Sequence, residues 1–424
     1  MKAVIVHRGA RDAYQAALAL AERGRLERLV TDLYWPADRW WAHAIEQMLP
    51  ARAVRALRLR WASGVASGKV KCCWLSGLVS FSLDRLPGAP FRLRQQATRW
   101  ADRSLGNAAG KLATRKQAAL LSYSYYGSSA FASAGRETPR LLFQLHPHPV
   151  SVRRILELEL NQHPDCAGSL GKEWELALPE QDFERLANEA ALAQHWIAAS
   201  SFTRATLAQN GVDPSRIHVV PYGVDSRHFR PPSQRNLDRS RPLRLLFVGT
   251  INQRKGIKYL LQALELLPGL PLEVTICGRP VDDLALFRQF ADRVRIRPSV
   301  SAQELLERYQ EADLFVFPSV AEGFGQVLLE AMASGLPVLS TTHTAAPDLI
   351  REGIEGFVVE PRRPDLLASR IAWANLHRAE LQQMGSQARL RAEWFTQARF
   401  RAGLAECVAR ALAPALPEEA TQYV

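Results

Sequence analysis

Short apolar runs alternate with amphipathic segments along the second half of the chain. Leu243 to Val248 ends at Gly249, Leu272 to Ile276 runs toward Gly278, Val294 to Ile296 toward Pro298, Leu314 to Phe317 ends at Pro318, and Pro337 to Leu339 follows Gly335. Between the first two runs, Leu260, Leu261, Leu264 and Leu267 share one helical face. Unbroken apolar runs separated by amphipathic helices predict a parallel sheet covered on both faces, hence a Rossmann-like domain. The first half opens in the same way, with a strand at 3–6, Gly9 in the loop and a helix over 14–22. It then departs from the pattern and returns at 120–126, 140–145 and 195–200. The α/β reading is therefore two Rossmann-like domains: residues 1–228, with a basic helical insertion at about 45–116, and residues 229–398. Pro231-Pro232 and the charged run up to Arg241 mark the linker. A helix over 399–424 is expected to pack back toward the amino-terminal domain.

A chain of 424 residues, 47% of them hydrophobic, suits two cores rather than one. Its five cysteines show no paired metal-ligand spacing, so neither a disulfide framework nor a structural zinc site is expected and a reducing compartment fits best. No signal-peptide core and no membrane-spanning run is read from the sequence, which points to the cytoplasm. The charge changes this picture. The chain carries +12, and residues 51–120 alone hold fourteen Lys and Arg against Asp84 and Asp102. Any anionic surface is thus expected to be met through one part of the amino-terminal half.

The most specific segment runs Pro318-Ser319, then Glu322-Gly323-Phe324-Gly325-Gln326, then Glu330-Ala331-Met332-Ala333 and Gly335-Leu336-Pro337-Val338. A strand ends at proline, a glycine loop lets backbone approach a ligand, and a helix opens near Gly325 with its first amides unsatisfied. Glu322 lies in the loop and Glu330 eight residues later on the helix. A second strand, loop and helix entry runs Phe247-Val248-Gly249-Thr250-Ile251-Asn252-Gln253-Arg254-Lys255-Gly256. Fixed Arg and Lys charges at a helix entry can stabilise a diphosphate leaving group without a metal.

These residues resemble the family-4 retaining glycosyltransferases, whose E-x7-E pair stands in the same setting. The resemblance implies the GT-B fold, two Rossmann-like domains facing across a cleft, and transfer of a sugar, of the hexosyl kind, from a nucleotide diphosphate with retention. It implies that Glu322 holds donor-sugar hydroxyls, that Glu330 holds the ribose, and that Arg254 and Lys255 hold the diphosphate. It further implies donor contacts from Gly249, Thr250, Gly323, Phe324, Gly325 and Gln326, and from Ser299 and Val300, where this chain departs from the family's glycine. Gly9 stands where the family usually has paired glycines against the donor phosphates. His146, ahead of Pro147-His148-Pro149, is the expected catalytic histidine. His148 is the alternative, on the acceptor side with Tyr123, Tyr125 and Tyr126. Supporting matches are Ala198-Ala199-Ser200 and Pro221-Tyr222-Gly223-Val224-Asp225.

No cofactor and no metal are expected, and the sugar nucleotide is a co-substrate. The expected acceptor is a lipid-linked or polysaccharide glycan in cell-surface glycan biosynthesis. Between Ile45 and Trp61, Leu49, Val54, Leu57 and Trp61 recur at helical intervals beside Arg52, Arg55, Arg58 and Arg60, and Trp40, Trp41, Trp74, Phe81 and Trp100 add rings suited to a headgroup boundary. Peripheral attachment to the cytoplasmic face of an anionic membrane is the expectation, with no specific nucleic acid as partner. A GT-B epimerase or phosphorylase, or a basic module binding a membrane or polyanion, remains the alternative. A nicotinamide enzyme is disfavoured, since G-x-G-x-x-G follows neither first strand.

Overall fold

The computed structural model describes residues 1–86, 88, 90–233, 240–281 and 284–413. The middle of the expected linker, 234–239, the end of the expected carboxy-terminal helix, 414–424, and the side chain of Phe81 lie outside that part. The alternating pattern produces thirteen strands among the described residues. Strands β1 (Ala3–Val6), β2 (Leu26–Thr31), β3 (Val70–Cys72), β4 (Ala119–Tyr123), β5 (Arg140–Gln144), β6 (His195–Ala198) and β7 (Ile217–Val219) form one sheet in the order 3-2-1-4-5-6-7. Strands β8 (Leu243–Val248), β9 (Leu272–Cys277), β10 (Val294–Arg297), β11 (Leu314–Phe317), β12 (Val338–Thr341) and β13 (Gly356–Val359) form the other in the order 10-9-8-11-12-13. The neighbouring pairs from β3 to β5 and from β10 to β13 are parallel.

Both orders reverse once, between β1 and β4 and between β8 and β11, as in doubly wound sheets. Every residue of β1, β4, β11 and β12 is buried, as expected of central strands covered on both faces. Each buried aliphatic side chain there contributes on the order of 2 kcal/mol.

By internal contacts the chain forms two compact units. One comprises Met1–Phe143, Asn188–Ile197 and Arg401–Val424, and the other Gln144–Ala187 and Ala198–Phe400. The stretches 144–187 and 198–228 thus group with the carboxy-terminal half. One cause is a buried cluster in which Val152, Leu156, Cys166 and Leu170 pack with Ala321. Another is the fully buried Glu159, which accepts hydrogen bonds from Gln253 (2.7 Å) and Tyr259 (3.1 Å) and pairs with Arg362.

The expected insertion at 45–116 is more than an insertion. It contains β3, which pairs with β2 at the sheet edge, and the 25-residue helix Phe91–Arg115, which packs on β1 and β4 as a crossover between β3 and β4. The single helix expected between Ile45 and Trp61 is two, Trp40–Met48 and Ala51–Arg58, with Pro50 as the cap of the second.

Candidate active site

In a doubly wound sheet the loops following the two strands at the reversal diverge and leave room for a ligand. In the second sheet those are the loops after β8 and β11, which carry the two motifs. Each is fixed by its own sequence. In the β8 loop Asn252 accepts a hydrogen bond from the Lys255 amide (3.2 Å), and the buried Gln253 is held by Glu159 and by the Lys258 amide (3.2 Å). Gly256 follows in a left-handed conformation (φ +74°), and a Cβ there would lie 1.9 Å from the carbonyl oxygen of Pro318. The two loops can approach only because that residue is glycine.

They are joined directly. The Val320 amide (3.0 Å) and the Ser319 hydroxyl (3.1 Å) donate to the Arg254 carbonyl, and Arg254 Nε donates to the Ala321 carbonyl (3.1 Å). The Lys255 ammonium forms an ion pair with the Glu322 carboxylate. Burial, then Arg254, pushes Lys255 down to about 7, while Glu173 acts in the opposite sense. The contact with Glu322 itself favours the charged ammonium.

Gly323 brings in the histidine segment. A Cβ on it would stand 1.8 Å from the Leu145 carbonyl oxygen and 2.9 Å from His146 Cα, and its own carbonyl accepts from Ser200 (2.5 Å) and Thr203 (3.1 Å). His146 is thereby placed, half-buried, against the loop that carries Glu322. His148 is different: it is buried, its Nδ1 caps the helix Pro149–Gln162 through the Val150 amide (3.4 Å), and burial holds its imidazole down at about 4. It is a neutral helix cap.

Glu330 lies in the helix Gln326–Ala333, where the Tyr309 hydroxyl donates to it (2.9 Å) and burial raises its carboxyl. Phe324 is buried against Tyr222, and Gln326 is exposed at the helix start. Gly249 and Thr250 are half-buried at the end of β8. Ser299 and Val300 follow β10, the edge strand, two strands from β8, and lead into the reciprocal cap that Ser301 and Glu304 make for the helix Ala302–Glu311. The structure thus gathers Arg254, Lys255, Glu322, Gly323 and His146 in one place and leaves Ser299 and Val300 at the periphery of the sheet.

Sequence reasoning missed two carboxylates. Arg254 Nη1 donates to Glu173 (2.7 Å) and Glu175 (3.3 Å), and Asn252 Nδ2 donates to Glu173 (2.9 Å). Their segment carries no motif, and only a long-range contact gives them meaning.

In the other unit, Gly9 (φ +71°) donates its amide to Asp32 (2.8 Å). It precedes three consecutive left-handed residues, Asp12, Ala13 and Tyr14. Tyr123 is fully buried and donates to Asp12 (2.6 Å), whose carboxyl burial pushes up to about 7. Tyr126 is also a core residue. Of the three tyrosines only Tyr125 is partly exposed, and its amide, with those of Gly127 and Ser128, is bound by the buried Glu189 carboxylate.

Residues 231–391 match the family model described as glycosyl transferases group 1. The carboxy-terminal half is thus similar to the group 1 glycosyl transferases over that span. Both motifs lie inside the matched span. A D-inositol 3-phosphate glycosyltransferase from Xylanimonas cellulosilytica is 33% identical over 201 residues, covering 43% of this chain and 47% of that protein. The one from Geodermatophilus obscurus is 36% identical over 199 residues, covering 42% and 44%. The matched stretch thus spans about half the length of these relatives. Among solved structures, sucrose-phosphate synthase from Thermosynechococcus elongatus aligns with TM-score 0.65 at 17% identity, over 97% of this chain and 99% of that one. Anabaena HepE in complex with UDP aligns with TM-score 0.61 at 17% identity, over 97% and 100%. These likenesses show the fold: two parallel-sheet Rossmann-like domains of the GT-B class.

Proposed function

We propose that the protein is a metal-independent, retaining glycosyltransferase that moves a hexosyl group from a nucleotide diphosphate to a hydroxyl of a glycan or lipid-linked acceptor. The observation that carries this reading is the joining of the Arg254-Lys255 turn to the Glu322 loop at the β8/β11 reversal, with His146 against Gly323. Arg254 and Lys255 take the diphosphate and offset the charge that develops on it as the glycosidic bond breaks. Glu322 holds sugar hydroxyls, Glu330 the ribose, and His146 the sugar near the reacting carbon. One structural relative, Anabaena HepE, solved with UDP and with UDP-glucose, makes a uridine nucleotide the first donor to try. The test supplies sugar nucleotides together with lipid-linked, polysaccharide and small-molecule acceptors and follows release of nucleoside diphosphate. Release that depends on acceptor and continues in excess chelator is expected. Consumption of donor without acceptor would favour an epimerase, and a requirement for inorganic phosphate a phosphorylase.

The same reading places the protein on the cytoplasmic face of an anionic membrane. No described helix is long and apolar enough to cross one. The helix Trp74–Arg85 turns Ser76 and Gly77 inward and leaves Trp74, Leu75, Leu78 and Val79 exposed, and Trp40 and Met48 project from the helix Trp40–Met48. Arg58 pairs with Glu46 (2.8 Å) and Arg60 with Asp32 (3.3 Å), whereas Arg52 and Arg55 are exposed. Each basic residue at such a surface contributes about 1 kcal/mol. Flotation with anionic liposomes is therefore expected. It should fall with salt and drop when Arg52 and Arg55 become Gln together with Trp74→Ala. Binding that ignores salt and lipid charge would return the basic region to a soluble polyanion.

A further inference from the structure

The cations assigned to the diphosphate are already matched by carboxylates. Arg254 meets Glu173 and Glu175, and Lys255 meets Glu322, so two positive charges face three negative ones before a donor adds more. Each of these carboxylates opposes the entry of an anionic diphosphate while it stays in place.

The two carboxylates on Arg254 differ. The Glu175 side chain is 1% exposed and belongs to the short helix Trp174–Ala177, whose next layer is fixed by Arg153 donating to the Glu175 carbonyl (2.8 Å). The Glu173 side chain is 19% exposed and makes no capping hydrogen bond to that helix, whose first position it precedes. Its backbone is tied down by Leu170, Leu176 and Ala177, so rotation of the side chain alone takes the carboxylate away. The Glu173 carboxylate also spans the β8 loop as a two-oxygen anion would, one oxygen on Asn252 Nδ2 and the other on Arg254 Nη1.

We propose that Glu173 is an anionic placeholder: without donor its carboxylate occupies the Asn252 and Arg254 donors that a nucleotide's diphosphate takes, and it swings out as the diphosphate arrives. Glu175 stays and positions the guanidinium. Glu173 thus lowers donor affinity and keeps Arg254 oriented while the site is empty. The inference rests on the proposed role of Arg254.

Calorimetric titration of the full chain with UDP, inorganic pyrophosphate and uridine tests it. Glu173→Gln is expected to tighten UDP and pyrophosphate roughly three- to tenfold, the scale of removing one like charge beside a bound anion, and to leave uridine unchanged. Glu173→Ala, which also removes the hydrogen bonds, should tighten them as well. A purely structural role would weaken binding in both variants, and that result, or tightening of uridine to the same degree, overturns the proposal. Arg254→Lys separates the two levels. If it weakens UDP while both Glu173 variants match the wild type, the placeholder fails and the diphosphate site stands. If it changes nothing, both fail.

Discussion

Glu322→Gln is expected to lower turnover by ~10² or more while leaving the fold intact. Glutamine keeps the size and one acceptor oxygen of the side chain, so the hydrogen bond that the backbone amide of residue 322 donates to the His343 carbonyl (3.0 Å) and the packing of Gly323 are undisturbed. What disappears is the charge that pairs with Lys255 and, in the proposed reaction, the anion beside the sugar as positive character develops at its reacting carbon. The loss should therefore appear in kcat more than in the donor KM. A variant with wild-type kcat would remove Glu322 from the reaction.

Arg254 gives the other large effect, and its surroundings dictate how to read it. Arg254→Ala deletes a charge-assisted contact to the diphosphate, but it also strands the buried Glu175 carboxylate, and breaking a buried ion pair costs about 3–5 kcal/mol of stability. Arg254→Lys keeps the charge and loses the forked geometry, and it is the cleaner variant. UDP affinity is expected to fall about tenfold or more in Arg254→Lys and further in Lys255→Ala, with turnover lowered by ~10² in both. Calorimetry and initial rates on variants with wild-type melting curves provide the check. Affinity and turnover equal to wild type in both would dismiss the diphosphate assignment.

The carboxy-terminal sheet was legible because β8, β9 and β11 are mostly apolar and, with β10, stop directly at Gly249, Gly278, Pro318 and Pro298. The two motifs were legible because a tight loop at a helix start constrains consecutive residues, as Gly256 and Gly323 do where backbone from another loop approaches them. Short-range signals failed where the chain relies on distant partners. Val70–Cys72 is three residues long among charges and becomes a strand only by pairing with β2. Glu173 and Glu175 carry no local signal, and only the fold sets them on Arg254, some eighty residues away. His148 read as a possible reactive group, but the proline after it starts a helix that its ring caps. The grouping of 144–187 with the carboxy-terminal half depends on Glu159 and on the cluster around Leu156, contacts that no local periodicity encodes.

Stereochemistry at the transferred sugar bears most directly on the central claim. With UDP-glucose, or whichever sugar nucleotide is consumed, proton NMR of the first-formed product reads the anomeric configuration before any equilibration. The arrangement of Glu322, Arg254, Lys255 and His146 proposed here predicts that an α-linked donor yields an α-linked product, in chelator as in buffer. A β-linked product would contradict it.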